Sequence, residues 1–160
     1  FGSIVRYDSI GVGAGVGSNI KELNKHDEFE IKSESFNSGG KVVNPNKPYE
    51  LGVSNKDYFA NAKGQMWKVV ADRILMTYNA VTKGAEFKED EIISISSECD
   101  FIEELITELS TPRKDYDTAG RFKVESKKDL LKRGVNSPNI ADAFVMCFAP
   151  KENTFKFHIA

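Results

Sequence analysis

Several features are scarce or missing in this sequence, and each absence excludes something. There are only two cysteines, Cys99 and Cys147, far apart and without CxxC spacing. They are expected to be free, buried thiols of a reducing compartment rather than a disulfide framework. No apolar run reaches the roughly 18 residues that a membrane helix needs, and no secretory signal opens the chain. Charge of one sign does not dominate: the formal net charge is −2. No global field therefore draws the chain to nucleic acid or an anionic membrane, and DNA binding would have to rest on a local basic patch. There is no Gly-Lys-Ser/Thr, hence no P-loop. Internal repeats and low-complexity tracts are also absent. The chain starts on Phe1 rather than Met, almost directly on the strand-like run IVRYD. A fragment of a larger protein, with elements missing upstream, is the expectation.

What is present suits one domain spanning residues 1–160, long enough to bury a core. Hydrophobic residues make up 40% and charged residues 29%, as in an ordinary globular chain. Eleven phenylalanines predict an aromatic-rich core. Ser3 to Tyr7 reads as a short strand ending at Asp8 and Ser9, and a helix follows over Val16 to Asn24 with Ile20 and Leu23 facing inward. Phe29 to Ser33 alternates as a strand does. Ser33 to Glu50 is loop chemistry with room for a small hairpin. Phe59, Ala62, Met66, Val70, Ile74 and Tyr78 predict one long helix over Asn55 to Asn79, with Trp67, Ala71 and Leu75 widening its stripe. Phe101, Ile102, Leu105, Ile106 and Leu109 mark another helix, closed by Pro112. Arg121 to Glu125 is strand-like, and Lys127 to Arg133 is a short basic helix stopped at Gly134. Ser137 as N-cap with Pro138 in the first turn opens a last helix, whose stripe is Ile140, Ala141, Phe144, Val145 and Phe148. Strands and helices alternate, so the class is α/β with some parallel pairing.

The stretch YDSIGVGAGVGSNI, Tyr7 to Ile20, carries glycines at 11, 13, 15 and 17. The dinucleotide fingerprint GxGxxG fails from either start: Val16 or Ser18 stands where its third glycine belongs. Asp8 also precedes the glycines, whereas that fingerprint places its acid later. The carboxylate is the more informative residue. Side chains at the carboxyl end of a strand in an α/β sheet point into the crevice where ligands bind. A carboxylate there suits a hard ion such as Mg²⁺ or Mn²⁺. The competing reading is that Asp8 only ends a strand and caps a turn.

Asp142, in SPNIADAF, falls off the apolar stripe of its helix and so points to the helix edge. It reads either as a solvent-facing acid near a helix start or as a metal ligand at the sheet rim. Upstream, KVESKKDLLKRG concentrates Lys123, Lys127, Lys128, Lys132 and Arg133. Such a run is a solvated helix face or, beside a metal site, a positioner of phosphates. Glu125 is open between ligand and ion-pair partner.

Together, FKVESKKDLLKRGVNSPNIADAFVMCF, YDSIGVGAGV and FANAKGQMWKVVADR resemble, in the right order, the C-terminal nuclease domain of phage terminase large subunits. The pattern SK-x(5)-RG-x-x-SP-x-x-ADA carries most of the specificity, and the loop around Ser33 to Glu50 is the least covered part. The resemblance implies an RNase H-like fold, a mixed sheet with helices on its faces. It implies an endonuclease that cuts concatemeric phage DNA during genome packaging, with two Mg²⁺ or Mn²⁺ ions held by acidic residues. By motif, Asp8 is similar to the family's second-strand aspartate and Asp142 to its final aspartate. Lys127, Lys128, Lys132 and Arg133 then fall in the basic stretch, as nucleic-acid-binding candidates. Asn139 replaces the first aspartate of the family's SPDxADA. The implied partners are double-stranded DNA, the small terminase subunit, the portal protein and an ATPase domain of the same polypeptide, with no membrane. The implied setting is the bacterial host cytoplasm.

One departure matters. The family's metal aspartate on the first strand has no counterpart in Phe1 to Arg6, so that strand is expected to be missing. The sheet should then show an open edge or gap, and metal binding should be weak. Two other readings stay open: a non-catalytic DNA- or portal-docking module on the same fold, and a nucleotide-binding α/β domain that uses Gly11 to Gly17.

Overall fold

A computed structural model of the chain describes residues 4–26 and 30–151. Strand β1 (Ile4–Asp8) is followed by a 3₁₀ turn, Gly11–Gly15, and helix α1 (Val16–His26). Strand β2 (Lys32–Phe36) then returns parallel to β1, in a register running from Ile4 against Lys32 to Asp8 against Phe36. Parallel neighbours need a crossover, and α1 supplies it. Asp8 is therefore the last residue of β1, at its carboxyl end. Ser3 and Phe29, where the alternation predicted strand, lie outside the described residues. The second strand runs further along the chain than Phe29 to Ser33 implied. It takes up the first residues of the expected loop because β1 pairs with it there.

Among the described residues the strands form three two-stranded sheets. Besides β1–β2 there are two antiparallel hairpins: β3 (Pro48–Glu50) with β4 (Val53–Ser54), and β5 (Lys114–Tyr116) with β6 (Phe122–Val124). Parallel and antiparallel pairing thus coexist, as the α/β reading expects. The β1–β2 sheet has no third strand among these residues, and Ile4 and Val5 are left about two-fifths exposed, at 42% and 41%. Parallel strands are normally covered on both faces, and β1 is not so covered at Ile4 and Val5.

The predicted long helix is two helices. Helix α2 (Asn55–Tyr58) stops at Phe59, and α3 (Ala62–Lys83) starts after Asn61. Phe59 is fully buried but not helical: its ring packs edge-on against Tyr49 and Tyr58. Asn61 is a side-chain N-cap, accepting from the Gly64 amide at 2.8 Å. Gly64 suits a close approach of two elements. A Cβ there would lie 3.0 Å from the Phe122 carbonyl oxygen, so its absence lets α3 ride close to β6. Only the first half of the α3 stripe is covered. Ala62, Met66, Trp67 and Val70 are buried, whereas Leu75 and Tyr78 are more than half exposed and Ile74 is 40% exposed.

The remaining helices are α4 (Ile102–Ser110), α5 (Lys127–Lys132) and α6 (Asn139–Cys147). Met66, Trp67 and Val70 of α3, Leu105 of α4, Ala141 and Val145 of α6, and Ala149 form the core cluster. Each large side chain of that group stabilises the fold by about 1.5–3 kcal/mol. Phe101 and Ile106 are more than half exposed, so α4 contributes mainly Leu105. Leu23 is also half exposed, leaving Ile20 as the buried residue of α1. Among the described residues the fully buried aromatic is Phe59, and the core is more aliphatic than the phenylalanine content suggested. Cys99 and Cys147 are free, but Cys147 is exposed and Cys99 half-buried, not the buried thiols expected. Among the described residues, no helix is long and apolar enough to cross a membrane.

Candidate active site

Asp8 and Asp142 line one cleft of about 460 Å³. Its walls also include Ser38, Lys63, Lys123, Glu125, Ser126 and Lys127. Three local structures bring these residues together. First, the glycine stretch folds back on the end of β1. A Cβ at Gly13 would meet the Asp8 carbonyl oxygen at 1.9 Å, so only glycine fits there. The close approach is to the chain's own Asp8, and Gly13, Gly15 and Gly17 are not among the residues that line the cleft. Second, the loop carrying Ser38 is tied to the start of α3: the Lys63 amide donates to Ser38 O at 2.9 Å and the Ala62 amide to Gly40 O at 3.1 Å. These bonds satisfy amides that a helix start leaves without partners. Third, Ser126 caps α5 by accepting from the Asp129 amide, which sets Lys127 at the first helical position, facing the cleft.

Asp8 caps a turn at the end of its strand, one of the two parts the sequence left open. Its Oδ1 accepts from the Ile10 amide at 3.1 Å, the local turn bond that aspartate favours. Its Oδ2 accepts from the Ser38 hydroxyl at 2.9 Å, on the cleft side.

Asp142 sits on the first turn of α6 with its side chain 17% exposed. Lys63 Nζ is 3.1 Å from Oδ1, and Lys127 Nζ is 3.1 Å from Oδ2. The Trp67 indole N–H also donates to Oδ1 at 3.3 Å. Asp142 is thus at the helix edge, as its phase predicted, and it faces the cleft wall rather than open solvent. The start of its helix differs from expectation. Pro138 is the N-cap, the Ser137 hydroxyl is buried without a hydrogen-bond partner, and the Glu108 carboxylate of α4 accepts from the Ala141 amide instead.

The basic stretch divides. Lys127 faces the cleft, while Lys128 is exposed. Lys132 pairs with Asp129 at 2.7 Å. Arg133 grips Glu125 with two nitrogens, at 2.8 and 2.7 Å, and donates to Thr111 O. The ambiguity over Glu125 resolves toward ion pairing. The Arg133 hydrogen bond holds its carboxyl below the usual range, and Glu125 in turn pushes the guanidinium up. Lys123 pairs with Asp115 across the β5–β6 hairpin at 2.9 Å.

Ser38, Lys63 and Trp67 are the site residues that sequence reasoning did not single out. Lys63 lies in FANAKGQMW, a stretch whose likeness could have flagged it. Trp67 reads as core and is core, with its one polar atom turned to Asp142.

Among the described residues, no group of three His, Cys, Asp or Glu side chains gathers as a metal cage. The donor chemistry nevertheless fits a hard divalent cation in part. The acidic donors of the cleft are carboxylates, joined by hydroxyls, with no thiol or imidazole among the lining residues. Asp142 already holds positive charge on both its oxygens.

No protein-family model and no curated protein sequence matches the chain. Solved structures do. The nuclease domain of the large terminase subunit gp2 of bacterial virus Sf6 is similar at 27% identity with a TM-score of 0.82. A mutant of that domain with manganese and beta-thujaplicinol is similar at 26% identity with a TM-score of 0.84. A mutant with calcium gives 26% identity and a TM-score of 0.81. Each likeness covers 92% of this chain, which spans 65% of the neighbour's length. The chain therefore has the terminase-nuclease fold, and the resemblance carried by the SK-x(5)-RG-x-x-SP-x-x-ADA pattern is borne out.

Proposed function

We propose that the chain is the nuclease part of a phage DNA-packaging enzyme, a divalent-metal-dependent endonuclease acting on double-stranded DNA. One observation carries the reading: Asp8 and Asp142, from opposite ends of the chain, line one cleft on a fold whose solved neighbours are nuclease domains, some with manganese or calcium. Asp8 and Asp142 are the metal-holding carboxylates. When bound there, a divalent ion supplies Lewis-acid polarisation of the phosphodiester and a water acidic enough to attack near neutral pH. Lys63 and Lys127 offset the charge of the DNA phosphate at the same place, and Ser38 keeps the Asp8 carboxylate turned into the cleft. Exposed Lys128 lies next to Lys127 and extends the positive edge toward the DNA backbone. Lys132 and Arg133 are engaged with acids and contribute less.

Two carboxylates hold one ion more readily than two. A two-ion site would require a further acidic ligand, because Glu125, the third carboxylate lining the cleft, is held by Arg133, and the affinity of this chain alone would be low. The small terminase subunit, the portal protein and an ATPase domain are partners by the same reading. The test is Mn²⁺-dependent nicking of supercoiled plasmid by the intact protein. Asp142→Asn is expected to abolish it, and undiminished cutting would remove Asp142 from the site.

A second reading rests on a specific feature: both oxygens of Asp142 are engaged by lysines. A non-catalytic DNA- or portal-docking domain would keep that arrangement without metal. Salt-sensitive DNA binding by the intact protein, with no nicking at any Mn²⁺ concentration, would favour it.

A further inference from the structure

Helix α6 carries Asp142, and both its ends are held by side chains from other elements. At its start, Glu108 Oε2 of α4 accepts from the Ala141 amide at 2.9 Å, one residue before Asp142. At its end, Arg6 of β1 donates from Nη1 to three carbonyls: Met146 at 3.3 Å, Cys147 at 3.1 Å and Ala149 at 3.0 Å. Negative charge at a helix start and positive charge at its end are what the backbone dipole favours. The last carbonyls of a helix lack intrahelical partners; here Met146 O also accepts from the Ala149 amide at 3.1 Å, and Arg6 adds a donor to it, to Cys147 O and to Ala149 O just past the helix. The arginine is itself fixed: its Nε donates to Glu34 Oε2 of β2 at 2.9 Å, and its side chain is only 13% exposed.

Arg6 is also two residues before Asp8 on the same strand. Alternation along β1 puts the two on one face of the sheet. The chain of contacts is thus Asp8, strand β1, Arg6, the end of α6, and α6 to Asp142. Resting on the metal-dependent reading above, we propose that Arg6 is a positioning residue that sets the spacing of Asp8 and Asp142 by locking α6 onto β1. Arg6 touches neither DNA nor the reacting atoms. It acts through the helix that carries Asp142. The geometry needs a planar guanidinium, which donates to Glu34 from Nε while Nη1 reaches the carbonyls. A lysine keeps the charge but not that fork.

A merely structural arginine would lower stability and leave metal affinity alone, so affinity is the deciding readout. Mn²⁺ binding to the intact protein is measured by calorimetry, well below each variant's melting temperature. The set is wild type, Arg6→Lys, Arg6→Met and Ile20→Ala, the last removing buried volume from α1 outside the core cluster that holds Ala141 and Val145 of α6. Displaced supporting contacts around a metal site cost about 10–100-fold in affinity. Arg6→Lys is expected to weaken Mn²⁺ binding by about 10-fold and Arg6→Met by more. Ile20→Ala should lower the melting temperature with affinity unchanged. If Arg6→Met does not fold, Arg6→Lys decides alone. Affinity in Arg6→Lys equal to wild type, or reduced no more than in Ile20→Ala, overturns the proposal. Failure of wild type to bind Mn²⁺ instead defeats the metal-dependent reading, and this inference falls with it.

Discussion

Two sets of acids in this molecule are built in opposite ways. In the segment from β5 to the end of α5, Asp115, Asp117, Glu125 and Asp129 pair with Lys123, Arg121, Arg133 and Lys132, all from the same stretch of chain. In the cleft, Asp142 is met by Lys63 and Lys127 and by the Trp67 indole, from α5 and the distant α3, and Asp8 is met by Ser38. The first set closes a small unit on itself and leaves little charge for a ligand. The second gathers charge from distant segments at the end of a strand. Density of basic residues in the sequence is therefore a coarse guide: in the richest run Lys132 and Arg133 pair with acids of the same run and Lys123 with Asp115, while the lysines that meet Asp142 are Lys63, outside that run, and Lys127, within it.

The largest expected difference between the sets is in activity. Asp142→Asn in the intact protein should cut Mn²⁺-dependent plasmid nicking by at least about 100-fold, the upper range for disturbed metal sites. Asp129→Asn should leave the rate within about twofold. Equal losses would erase the distinction. Next comes the support beneath Asp8. Gly13→Ala forces a Cβ to within 1.9 Å of the Asp8 carbonyl, whereas Gly15→Ala meets nothing within 4 Å. Thermal melts should show a loss of about 1–3 kcal/mol for the first, the range for forced overpacking. The second should stay within about 0.5 kcal/mol of wild type.

The smallest effect is in pH dependence. The carboxyls of Asp115, Asp117, Glu125 and Asp129 are all held below their ordinary values. The leading causes are hydrogen bonds from Lys123, from the Arg121 backbone, from Arg133 and from Lys132 respectively. A depressed folded-state pKa adds stability that is present above the unfolded value, about 4, and is lost as pH falls through the folded one. Melting temperature should drop below about pH 4, and Glu125→Gln should flatten that part of the curve. The side chains of Asp115 and Asp129 are about half exposed, so their share of the change is modest, whereas Glu125 is buried. A wild-type curve with no acid limb would contradict the pairing.

How much of this was legible in the sequence follows from the range of each interaction. Helix phase put Asp142 at the edge of α6 and predicted Ala141 and Val145 as core, because those are local geometric facts. The apolar spacing from Phe59 to Met66 also looked helical, yet the chain breaks at Phe59 to Asn61. Phe59 packs on Tyr49 of β3 and Tyr58 of α2 from outside α3, and spacing cannot tell that from a place on the long helix. Asn61 was a readable cap that the periodicity overrode. Periodicity also shows which face of α3 is apolar but not how far the core reaches, so Ile74 and Tyr78 seemed as buried as Met66. The site was half legible. Asp8 and Asp142 carry motif signals of their own, whereas Ser38, Lys63 and the replacement of Ser137 by Glu108 at the start of α6 depend on contacts between distant segments. The Glu125–Arg133 pair was undecidable from spacing because both roles suit an acid near a basic helix.

The most direct test of the shared carboxylate site is a crystal structure of the intact protein soaked in Mn²⁺, with anomalous diffraction recorded to locate the metal. The account predicts an anomalous peak within coordination distance of both Asp8 and Asp142. Manganese bound only elsewhere, or the two carboxylates turned into separate clefts, would contradict it.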